Sequence, residues 1–150
     1  MTFGLVLAMG SVSISSLSAQ TRDLAIGTWK LNVAMSKFAG PPLKNQTRTF
    51  EDRGDGVLIF TSEGIDAEGK PTFISYTVKR DGKDYPTGVN PTTGARNSIS
   101  ARLIDDYTLE FTNKANGKIT GRGSRNLSKD GKTLTYKDAQ GQTTLVFDRQ

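Results

Sequence analysis

Gly27-Thr28-Trp29-Lys30-Leu31-Asn32 is the stretch from which the fold is read. Trp29 and Leu31 fall on one face of an extended strand, because side chains alternate faces with a period of two. Beyond it the chain is punctuated by polar residues followed by glycine: Asp55-Gly56, Glu68-Gly69-Lys70, Asp81-Gly82-Lys83, Asn116-Gly117-Lys118, Asp130-Gly131-Lys132 and Gln140-Gly141-Gln142. That is the chemistry of tight hairpin turns. The segments between are β-branched and aromatic, and predict strands near 27–32, 45–53, 56–63, 71–80, 97–104, 107–113, 118–128, 132–138 and 142–149. Val57 to Phe60 is apolar throughout, so the inward faces of 56–63 and 71–80 stay open. Asp105-Asp106 reads as a further turn. Thr21–Ile26 and Val33–Phe38 read as short helical turns, the second running into a rigid bend at Pro41-Pro42. Tyr85–Arg96, with Pro86, Gly88, Pro91 and Gly94, reads as the longest irregular loop, the kind that rims a binding site. The expected fold is all-β: an antiparallel up-and-down meander closing into a barrel of about eight to ten strands, which removes its exposed edges.

The residues ahead of that first strand read as a leader. Phe3–Val12 is apolar and Ser16-Leu17-Ser18-Ala19 suits a signal peptidase, so 1–19 is expected to be a secretory signal peptide and 20–150 one barrel domain. The apolar run is too short to span a bilayer, and it lacks a Lys or Arg ahead of it. The expected location is secreted or periplasmic, with no membrane insertion. The chain has no Cys and no His, which excludes disulfides, thiol chemistry, His-based triads and ordinary zinc sites. No metal and no cofactor is expected.

The net charge of +5 comes from twenty Lys and Arg spread along the chain among fifteen carboxylates. No run of like charge exceeds two residues, so the basicity reads as a solvated surface rather than a polyanion site. No base-stacking string of aromatics accompanies it, and no nucleic-acid partner is expected. The closest acid pairings, Asp84 beside Tyr85, Glu63 near Asp66, and Asp105-Asp106, lack a second partner at a diagnostic spacing. Gly121-x-Gly123 lacks the third Gly and the following helix of a dinucleotide loop. The expectation is a binding protein, not an enzyme, and a monomer.

Gly27 to Asn32, then Ser36-Lys37-Phe38, Gln46-Thr47-Arg48-Thr49-Phe50, Glu63 to Pro71, Asp81 to Pro86 and Ser128 to Thr133, resemble small secreted bacterial proteins of the lipocalin-like type, of uncharacterised activity. In the wider lipocalin and fatty-acid-binding superfamily, a Trp on the first strand after a Gly closes the barrel floor against a basic residue of the last strand. The resemblance thus implies a structural set of Gly27, Trp29 and Arg149. A guanidinium over an indole face is worth about 0.5–2 kcal/mol. Fatty-acid-binding proteins hold their carboxylate with Arg-x-Tyr on the final strand, where this chain has Thr143-Thr144-Leu145-Val146-Phe147; that clamp is missing. Asp105-Asp106-Tyr107 is faintly similar to the Thr-Asp-Tyr of lipocalins, but a plain hairpin turn explains it.

Parity names a candidate lumen of Arg48, Phe50, Tyr76, Arg125, Tyr136 and Phe147. Two readings of the arginines stand: both point inward, where a guanidinium needs a partner, or a bulge turns them to the surface. The row Ile119, Gly121, Gly123, Arg125, Leu127 is empty in its middle, either to bend the strand or to leave room for a ligand. A small apolar or anionic amphiphile is the expected partner, and a pocket of roughly 300 Å³ or more would distinguish a carrier from a filled barrel that acts through its loops.

Overall fold

A computed structural model describes residues 23–150. Ten strands follow one another: β1 (Gly27–Leu31), β2 (Asn45–Asp52), β3 (Val57–Ile65), β4 (Pro71–Lys79), β5 (Asp81–Val89), β6 (Arg96–Leu103), β7 (Thr108–Ala115), β8 (Lys118–Leu127), β9 (Thr133–Asp138) and β10 (Thr144–Arg149). All belong to one antiparallel sheet in the order β4-β3-β2-β1-β10-β9-β8-β7-β6-β5. Pairing of β1 with β10 rolls the meander up, and β4 and β5 lie side by side as its two edges without a shared ladder. The result is a nearly closed all-β barrel with no helix among the described residues. The proposed leader, 1–19, and residues 20–22 lie outside the described part.

The turn chemistry works where the loop is tightest. Asn116 and Gly117 both take positive φ, 49° and 76°, and close the β7–β8 hairpin in two residues, matching the twist of the strands. In β3 the consecutive apolar run resolves by register: Phe60 stands opposite Phe50, and Leu58, Phe60 and Ser62 are the buried set.

Three expectations need correction. Tyr85–Arg96 is not one long loop, and Asp81-Gly82-Lys83 is not a free turn: Asp81–Val89 is strand β5, joined to β4 through Arg80 alone. Pro86 and Gly88 read as loop residues, yet β5 pairs only with β6 and its ladder shifts register beside both Gly82 and Gly88. A sheet edge with bulges tolerates a missing donor and bends there. Neither Leu24–Ala25 nor Val33–Met35 is helical; each is a turn, and Lys37 then bridges to Thr144 with backbone bonds of 2.7 and 2.8 Å. Ile119 is not at the inward end of its row. A register shift between Asn113 and Lys114 turns it outward, 49 % exposed.

Gly123 is explained by packing rather than by ligand space. A Cβ there would collide with the Lys137 carbonyl and lie 2.7 Å from Phe111 Cζ, so β8 needs a glycine for β9 and the Phe111 ring to approach.

Candidate functional site

The barrel floor is built around Trp29, which has no solvent exposure. In register, Trp29 stands between Arg149 of β10 and Arg48 of β2. The Arg149 guanidinium lies 4.2 Å from the indole centroid and donates to the carbonyls of Gly131, Ile26 and Leu24 at 2.6, 3.0 and 2.8 Å. The indole N–H donates to the Ala25 carbonyl at 2.8 Å. A Cβ at Gly27 would come within 3.0 Å of Arg149 Nη1, so the small residue makes room for the cation. These bonds fasten residues 24–26 under the barrel.

Asp23, immediately before that segment, sits inside with a fully buried side chain. Its Oδ1 accepts a hydrogen bond from Arg125 Nη2 of β8 and another from the Ala25 amide, while Arg80 Nη1 lies 3.0 Å from its Oδ2. Burial pushes the Asp23 carboxyl up, but the Arg125 charge, the hydrogen bonds from Arg125 and Ala25 and the nearby Arg80 guanidinium outweigh it and hold it below its ordinary value. Sequence reasoning missed this residue.

Above the floor lies a cavity of about 240 Å³. Its apolar wall includes Leu58, Ile74, Val78, Ile99 and Leu109. Of the six lumen residues expected from parity, Arg48, Phe50, Tyr76, Arg125 and Tyr136 line it. Phe147 does not; it is fully buried behind Tyr136, ring centroids 5.8 Å apart. Arg80, Phe60 and Phe111 complete the aromatic and cationic lining. The volume is below the roughly 300 Å³ at which drug-sized sites begin, so the barrel is neither filled nor roomy.

Two aromatic ladders define the interior. Phe50, Phe60 and Tyr76 stack across β2, β3 and β4 at 5.2 and 4.9 Å, while Phe111, Tyr136 and Phe147 run across β7, β9 and β10 at 6.1 and 5.8 Å. Arg48 connects the ladders, its Cζ lying 4.2 Å from the Tyr136 centroid, 4.6 Å from Phe147 and 5.9 Å from Phe60. Its Nε donates to Gln46 Oε1 at 3.0 Å, and among the described residues no carboxylate pairs with it. Arg125 is 2 % exposed and lies over Phe50 at 5.2 Å, with Asp23 as its counter-ion. Burial drives the Tyr76 hydroxyl far above its usual range, so it remains a neutral O–H donor. Among the described residues no three His, Cys, Asp or Glu gather as a metal site.

The chain matches no family model and no curated protein sequence. Its structure does have similar solved structures. The fluorescent protein UnaG superimposes with TM-score 0.57 at 17% identity, covering 83% of this chain and 96% of that one. Fatty-acid-binding protein 1 of Echinococcus granulosus gives 0.55 at 17%, covering 85% and 98%. As-p18, an extracellular fatty-acid-binding protein, gives 0.54 at 15%, covering 87% and 99%. The shared fold is an antiparallel β-barrel. At these identities the likeness is one of fold alone, and the site rests on this chain's own residues.

Proposed function

We propose that this protein is an exported calycin-type barrel that binds a small anionic amphiphile, with Arg48 taking the anion. The observation that carries the reading is the guanidinium of Arg48 on the cavity wall, held by aromatic faces and one glutamine but by no carboxylate. Arg125, the other arginine inside, already has Asp23. An acid head at Arg48 finds charge-assisted hydrogen bonds in a poorly solvated site, and its apolar body replaces water against Leu58, Ile99 and Leu109. Two of the similar structures are of fatty-acid-binding proteins, which agrees with an apolar acid as ligand class.

Calorimetric titration with octanoate at pH 7 tests this. Wild type is expected to bind, and Arg48→Gln to bind roughly ten- to hundred-fold more weakly while keeping its thermal transition, since a hydrogen bond to a charged group is worth about 1.5–3 kcal/mol. Equal affinity in the two proteins contradicts the assignment. Export has its own check: protein recovered from a periplasmic or culture-medium fraction is expected to begin near Gln20, and finding it only in the cytoplasm with Met1 intact removes that part of the proposal.

A second reading keeps the barrel as a scaffold that presents its open end to a protein partner. Met35, just after β1, and Phe73, Val89 and Ile119, within the terminal three residues of β4, β5 and β8, are exposed by 68, 72, 63 and 49 % at the end opposite the Trp29 floor. Failure of every small acid to bind favours this reading.

A further inference from the structure

The cavity wall carries three guanidiniums, Arg48, Arg80 and Arg125. Asp23 is the one carboxylate buried with them among the described residues. Asp52 comes within 3.9 Å of Arg80, but its side chain is 49% exposed and its charge is largely screened by water. Two positive charges are therefore in excess inside the barrel, and they are not in one place. Arg48 sits against Phe60, Tyr136 and Phe147, whereas Arg80 and Arg125 share Asp23 at the floor.

The floor pole also has idle donors. Arg125 Nε is buried with no hydrogen-bond partner among the described residues. Arg80 Nη1 and Asp23 Oδ2 are buried too, and face each other at 3.0 Å as an ion pair out of hydrogen-bond alignment. Buried donors and charges left this way are costly unless something else pairs with them. A ligand with a single acid at Arg48 satisfies one pole and leaves the other as it was.

We infer that the cavity takes a short α,ω-dianion, one acid on Arg48 and the second on the Arg80–Arg125 pole, with an apolar spacer lying along the Phe50–Phe60–Tyr76 ladder. This rests on the anionic-ligand reading above and narrows its chemistry. Arg125 Cζ is 5.2 Å from the Phe50 centroid and Arg48 Cζ 5.9 Å from that of Phe60, so the two poles flank the same ladder. The length follows from volume. A ligand heavy atom needs about the space of a liquid water, roughly 30 Å³, and the cavity of about 240 Å³ holds on the order of eight of them. That corresponds to about four to six methylenes between the acids, with one head at the open mouth.

The test titrates the full chain with butanedioate, hexanedioate, octanedioate and dodecanedioate, each against the monoacid of the same carbon number. The six- and eight-carbon diacids are expected to bind at least about ten-fold more tightly than their monoacids, a step set by one added charge-assisted pairing. In Arg80→Gln the diacid-to-monoacid ratio is expected to fall close to one. Diacids no tighter than monoacids in wild type overturn the inference and leave the anionic-ligand reading in place. Affinity that keeps rising to the twelve-carbon pair overturns the length limit. A ratio unchanged in folded Arg80→Gln overturns the floor assignment. Neither class of acid binding at all defeats the parent reading instead. The wild-type comparison decides the matter even where Arg80→Gln does not fold.

Discussion

Replacing Trp29 with alanine is expected to lower the unfolding free energy by about 3–5 kcal/mol, the cost of a large cavity at a fully buried aromatic. Three things go at once: the apolar contacts of the indole, its hydrogen bond to the Ala25 carbonyl, and the face on which Arg149 rests. Arg149 would then keep its carbonyl bonds to Leu24, Ile26 and Gly131 over an empty floor. Urea unfolding reads the loss directly. Trp29 is the only Trp, so native fluorescence reports on this site alone. A short-wavelength emission maximum is expected, moving to that of water-exposed indole on unfolding. Native emission already typical of exposed indole, or a loss below about 1 kcal/mol, contradicts a closed floor.

Asp23→Asn is expected to be comparably severe and, unlike the Trp29 change, dependent on pH. Removing one member of a buried ion pair leaves the others uncompensated and costs about 3–5 kcal/mol, or about 10–20 °C in Tm for a domain of this size. The Asp23 carboxyl is held below its ordinary value, so its contribution is complete above that value and is lost as pH falls through the lower folded one. Wild-type stability is therefore expected to be nearly flat from about pH 8 to pH 5 and to decline below about pH 4. Asp81, Asp105 and Asp130 add to that decline with the same sign, because hydrogen bonds from the Lys83 amide, the Tyr107 amide and the Ser128 hydroxyl chiefly lower them. The diagnostic is the gap between wild type and Asp23→Asn. It should be widest at neutral pH and close in acid, where protonated Asp23 resembles the variant. A gap constant with pH means that Asp23 acts through shape and not charge.

The strands were largely legible because period-two alternation and polar-Gly turns are local signals: β1, β7 and β9 sit within a residue or two of where alternation puts them. Strand β5 was not legible. Pro86 and Gly88 carry loop chemistry, and only the topology reveals that β5 is an edge where that chemistry is harmless. Parity brought Arg48 and Arg125 to the interior side of their strands, but their difference depends on partners that parity does not see. Asp23 meets Arg125 from 102 residues away and Arg80 from the turn between β4 and β5. The one available signal was a lone acid next to the first strand of a barrel with inward arginines. Once that acid is placed, Arg48 is the inward arginine left without a carboxylate partner among the described residues. Gly123 shows the same limit: whether a glycine row is ligand space or close packing depends on the Phe111 ring and the Lys137 carbonyl across two ladders.

A crystal structure of the protein grown with octanoate tests the binding account most directly. The account predicts density for the acid inside the cavity, its apolar chain between the two aromatic ladders and its carboxylate within hydrogen-bond distance of the Arg48 guanidinium. Asp23 should still bridge Arg80 and Arg125 beneath it. A cavity holding only water under saturating octanoate, or a carboxylate seated away from Arg48, would contradict it.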